Sequence, residues 1–94
     1  MDRAELNAAV DALLQRIEVI RFDDYYAGMQ GLRDFKSLAH QASHLVQQFT
    51  TEHVDEIGDD FEAMRKYKRR DLKAQHFNSA IRGLRADVES MKRG

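Results

Sequence analysis

Ninety-four residues suffice for one domain but not for two with separate cores, and the absence of Cys excludes disulfides, thiolate metal sites and thiol nucleophiles. No apolar run approaches the roughly 20 residues of a membrane span and no leader-like apolar segment follows Met1, so no membrane span is expected and a cytoplasmic setting is. The net charge is only −1, yet it is distributed as −2 over residues 1–47, −6 over 48–62 and +7 over 63–94.

Five Gly and no Pro supply too few turn residues for a sheet protein, which predicts long helices. Asp2 with Glu5 three residues on forms a capping box. Leu6, Val10, Leu13, Ile17 and Ile20 then recur at steps of four and three, with Ala9 and Leu14 widening the stripe. This first helix is predicted to end near Arg21 or Phe22. A second stripe runs Met29, Leu32, Phe35, Ala39, Ala42, Val46 and Phe49. Its start has two readings: a cap at Asp23 or Asp24, or a partly looped "YYAGMQG" in which Gly28 and Gly31 weaken the first turns. Its end has two as well, at Thr50-Thr51 or, through Val54 and Ile57, at a C-terminal cap on Gly58.

After Gly58, Asp59 and Glu62 form a second capping box, with Phe61, Met64 and Leu72 on one face. The last stripe is Phe77, Ile81, Leu84, Val88 and Met91. At about 100° per residue, Phe77 falls nearly opposite Phe61, so the chain is predicted to break near Arg69–Leu72 with Asp71 as a cap. Four amphipathic segments with short connections predict an all-α fold, a small antiparallel helical bundle forming a single domain over 1–94. Four helices are expected; three long ones, or a helical hairpin that completes its core as a homodimer, are the alternatives. The predicted core is Leu6, Val10, Leu13, Ile17, Phe35, Val46, Phe61, Ile81, Leu84 and Val88.

The stretch "DEIGDDFEAMRKYKRR", Asp55–Arg70, turns from acids to bases. On a helix from Asp59 to Arg70, acids would sit at the positive N-terminal end and bases at the negative C-terminal end, with Glu62 and Lys66 paired one turn apart. That reading needs no ligand, yet the number of cations exceeds what one helix end requires. The other reading is a binding surface of Arg65, Lys66, Tyr67, Arg69, Arg70 and Lys73, facing an acidic protein surface. Nucleic acid is the alternative partner, with Tyr67, His76 and Phe77 stacking on bases. Against nucleic acid stand the low pI, about 6.4, and the lack of a recognition-helix pattern.

His40 and His44, four apart, share one side of a helix, and His53 and Glu56 are further metal-ligand types. Both His40 and His44 lie beside the apolar stripe, which reads as ordinary boundary histidines, and no metal or cofactor is predicted. Arg33 with His40, and Arg70 with His76, resemble the Arg-to-His spacing of helical ribonucleases of the HEPN type. "LRDFKSLAHQASH" resembles the active helix of histidine phosphotransfer domains, which are four-helix bundles, and that resemblance implies His40 as a phosphoryl acceptor. Ser43 and His44 stand where that family carries Lys and Gly. Tyr26-Ala27-Gly28 and Tyr67-x3-Asp71 are similar to the turn and tail of small secreted helical-hairpin proteins. No buried carboxylate pair, Ser-His-Asp order or phosphate-binding Gly-rich loop is found. The expected function is therefore non-catalytic: an adaptor, inhibitor or regulator binding another protein through a charged helical face. Nucleic-acid binding through 65–73 and phosphotransfer at His40 are the alternatives.

Overall fold

The computed structural model describes residues 1–46 and 49–93, and among these there are four helices and no strand. They are α1 (Arg3–Glu18), α2 (Tyr25–Gln41), α3 (Thr51–Lys66) and α4 (Arg70–Arg93), each running antiparallel to the next. α1 packs on α2 and α4, α3 packs on α2 and α4, and α2 and α4 touch across the diagonal. Arg3 on α1 donates to the carbonyls of Met91 and, more weakly, Leu45, at 2.8 and 3.4 Å, which ties three segments together at one end. At the other end Phe22 meets Phe77 edge-on, with ring centroids 6.0 Å apart, and Phe77 meets Phe61 in the same way at 6.1 Å.

The core follows the four stripes. Leu6, Val10, Leu13 and Ile17 of α1, Leu32 and Phe35 of α2, Ile57, Phe61 and Met64 of α3, and Phe77, Leu84, Val88 and Met91 of α4 are all buried. Of the predicted core only Ile81 is half-buried, packed against the edge of the cluster. Asp2 caps α1, its side chain accepting from the Glu5 amide at 2.8 Å. Because that bond favours the ionised carboxylate, the pKa of Asp2 lies below its ordinary value.

Three boundaries differ from expectation, and at a fourth, the start of α2, the structure takes the capped reading. α1 stops at Glu18 rather than near Arg21 or Phe22, and Ile20 leaves the helix while still packing on the core. α2 is helical from Tyr25, capped by Asp24 through the Ala27 amide, so "YYAGMQG" is not a loop. Its glycines are sites of close approach rather than weak points. A Cβ on Gly28 would lie 2.5 Å from the Phe61 ring, and one on Gly31 would lie 3.3 Å from Leu84. α2 also stops at Gln41, so Val46 and Phe49 are not helical. They reach the core from the connection instead: Val46 is buried, and Phe49 sets its ring edge-on to Phe35 at 5.1 Å.

The third difference decides the charge pattern. α3 starts at Thr51, capped by Thr50 through the His53 amide, so Gly58 and the Asp59–Glu62 pair lie inside the helix and cap nothing. The predicted break before α4 is present, at Tyr67–Arg69, but Asp71 sits in the first turn of α4 rather than at its cap.

Candidate functional site

Antiparallel order places the α1–α2 connection (residues 19–24) and the α3–α4 connection (67–69) at the same end of the bundle. The site is built from these two connections. Arg65 and Lys66 are in the last turn of α3, where a helix dipole favours cations. Lys68 and Arg69 lie beyond the helix, and Arg70 opens α4, where the dipole is positive and disfavours them. The self-contained account of the stretch therefore covers two of its five cations. Asp59, Asp60 and Glu62 are not at a helix start either. Asp60 accepts from Ser79 at 3.2 Å, and Glu62 accepts from the Tyr25 hydroxyl rather than pairing with Lys66.

The start of α4 breaks a further rule. The Arg69 carbonyl accepts from the Lys73 amide at 3.1 Å, which makes Arg69 the N-cap residue, a position favouring Ser, Thr, Asp or Asn. Its side chain binds the Asp71 carboxylate through two bonds, at 2.7 and 3.2 Å, and caps no amide. Among the described residues no side chain accepts from the amides of this first turn. A 24-residue helix thus begins on an arginine pair with no side-chain cap.

Two arginines are held on aromatic faces. The Arg70 guanidinium lies 4.9 Å from the centre of the Phe22 ring, and that of Arg65 lies 5.4 Å from Tyr25. The Tyr25 hydroxyl donates to Glu62, and this bond, with burial and the neighbouring carboxylate charge, raises its pKa above the ordinary tyrosine value. Tyr67 stacks flat on His76, with ring centroids 4.9 Å apart and planes 5° apart. Between the connections lies a recess of about 320 Å³ walled by Phe22, Tyr25 and Met64 and rimmed by Arg65, Lys68, Arg70 and Lys73, with Asp23 beside them.

The six residues singled out from sequence thus gather at one end: Arg65, Lys66, Tyr67, Arg69 and Arg70 are exposed and Lys73 is half-buried. Among the described residues only Arg69 of the five cations in this set has a carboxylate partner. Sequence reasoning missed Phe22, Asp23 and Tyr25, which join the site only through the antiparallel topology. It also assigned Phe77 to base stacking, whereas that ring is buried in the core. Lys68 lines the recess beside Met64.

The histidines are dispersed. His40 and His44 are exposed, and His44 contacts the Met1 carbonyl at 2.8 Å. His53 holds Asp87, its Nε2 lying 3.0 Å from Oδ1 and 2.8 Å from Oδ2. One ring proton serves one oxygen at a time, which leaves the other carboxylate oxygen of this buried residue without a donor. Among the described residues no three His, Asp or Glu side chains converge to hold a metal, and no helix is long and apolar enough to cross a membrane. No family model matches the chain, and no curated protein or solved structure is significantly similar to it.

Proposed function

We propose that the chain is a non-catalytic binding module whose basic end docks an acidic surface of another protein, as an adaptor, inhibitor or regulator does. The observation that carries this reading is the start of α4, where cations stand against the helix dipole and Arg69 occupies an N-cap it does not serve. A sequence that departs from a local stability rule for no more than an exposed ion pair and a ring contact fits a group retained for contact with something else. The exposed Tyr67 and the two ring-mounted arginines are the residue types that anchor protein interfaces. A protein partner is favoured over nucleic acid because His76 already covers one face of Tyr67 and Phe77 is buried.

Affinity capture with the full chain from its source cell, read by mass spectrometry at low and high salt, tests the proposal. The expected result is a stoichiometric protein that is lost as salt rises. Recovery of nucleic acid alone, with a steep salt dependence indifferent to sequence, would overturn it. So would recovery of no macromolecule.

A further inference from the structure

Resting on the protein-partner reading, we infer that the recess between the two connections takes a phosphate monoester carried on a side chain of that partner. Four cations, Arg65, Lys68, Arg70 and Lys73, rim a space that holds one acid, Asp23. Among the described residues Lys68, Arg70 and Lys73 pair with no carboxylate, while Arg65 shares the Tyr25 hydroxyl with Glu62, so the recess keeps a positive charge that Asp23 and Glu62 do not cancel. A single carboxylate would leave about half of that charge unmatched. A phosphate monoester, carrying about −1.5 to −2 at neutral pH, offsets most of it.

Geometry favours the same occupant. The ring faces of Phe22 and Tyr25 support the Arg70 and Arg65 heads at 4.9 and 5.4 Å, so neither guanidinium needs a carboxylate to hold it in place. A guanidinium fork presents paired donors that match phosphate oxygens two at a time. Apolar walls from Phe22 and Met64 receive the stem that carries the phosphate, and about 320 Å³ accommodates one such side chain rather than a length of chain. A nucleic-acid strand supplies one charge per phosphate and would need a continuous track instead of a recess.

The test is a titration of the isotope-labelled full chain, followed by the amide resonances, with phenyl phosphate, benzoate and a 5′-mononucleotide as probes. Phenyl phosphate is expected to shift Phe22, Tyr25, Arg65 and Arg70 saturably and to bind about tenfold more tightly than benzoate. Its affinity should fall as pH drops through about 6, where the second phosphate proton returns. Arg65→Gln and Arg70→Gln should each weaken it roughly tenfold while leaving the remaining resonances in place. A phosphotyrosine peptide should bind at least as well as phenyl phosphate. Equal affinity for benzoate, the absence of saturable shifts, shifts centred elsewhere, or a mononucleotide binding more tightly than the peptide would each overturn the inference. If phenyl phosphate fails while salt-sensitive capture of a protein persists, the phosphate is wrong and the partner reading stands. If phenyl phosphate binds in the recess but no protein is captured, the protein-borne phosphate falls together with that reading.

Discussion

At Gly28 the Phe61 ring stands 2.5 Å from where a Cβ would be, and Phe61 is fully buried with no room to retreat. Gly28→Ala is therefore expected to destabilise the fold by about 1–3 kcal/mol, although alanine is the better helix former. Gly58 is the opposite case. It lies inside α3, and an added Cβ would meet Leu32 at an ordinary 3.6 Å, so Gly58→Ala should stabilise by up to about 1 kcal/mol. Paired thermal melts of the two variants read both signs at once. Composition alone treats these glycines alike, because what separates them is a neighbour supplied by another helix. Tyr25 adds a dependence on pH. Its folded pKa is raised above the ordinary 10.0, so the stability it contributes is complete below pH 10 and is lost as pH rises through the folded value. Alkaline melts should show that loss in the native chain and show it diminished in Tyr25→Phe. At neutral pH the same substitution should cost about 0.5–1.5 kcal/mol for the hydrogen bond to Glu62.

Among the elements, the start of α4 carries the clearest expectation. Arg69→Ser supplies the missing side-chain cap and removes only an exposed ion pair with Asp71, so stability should rise by about 0.5–1 kcal/mol in denaturant unfolding. A fall would mean that the Arg69–Asp71 pair holds this connection together. Capping also explains which boundaries could be read from the sequence. The stripes of α1 and α4 place their core residues, since a regular apolar period and a buried face are the same fact. Ala42, Val46 and Phe49 keep that period beyond the end of α2, because Ala42 and Val46 are buried and Phe49 half-buried against the core from outside a helix. Thr50 was the stronger signal there. Thr50→Ala should cost about 0.5–2 kcal/mol. Asp59 and Glu62 show the converse: a capping-box spacing inside a helix has no free amides to serve, and these side chains are available for other contacts.

Over the whole molecule, the segregated charge does not neutralise itself. Among the described residues no ion pair joins the acids of 52–62 to the bases of 65–73. Glu52, Asp55, Glu56 and Asp59 stay exposed along α3, while the cations gather at its far end. The sequence order of the charges was legible; their failure to pair was not, because it depends on α3 starting at Thr51, which leaves Glu52, Asp55 and Glu56 turns away from the connection, and on Glu62 accepting from Tyr25. The described residues of one chain bury seventeen apolar side chains and leave four large ones, Met1, Val19, Tyr26 and Tyr67, exposed. Among the described residues, what the basic end leaves unsatisfied is charge. The most direct measurement of that claim compares the native chain with a Lys66→Gln, Arg69→Gln, Arg70→Gln variant in thermal melts and in salt-resolved partner capture. Exposed substitutions of this kind should change stability by under about 0.5 kcal/mol each, offset in part by relief at the positive end of α4. The variant is thus predicted to melt close to the native chain and to lose both its partner and the salt dependence of capture. A variant that captures the same partner with the same salt dependence would contradict the account, since the basic end would then be only a solvated helix connection.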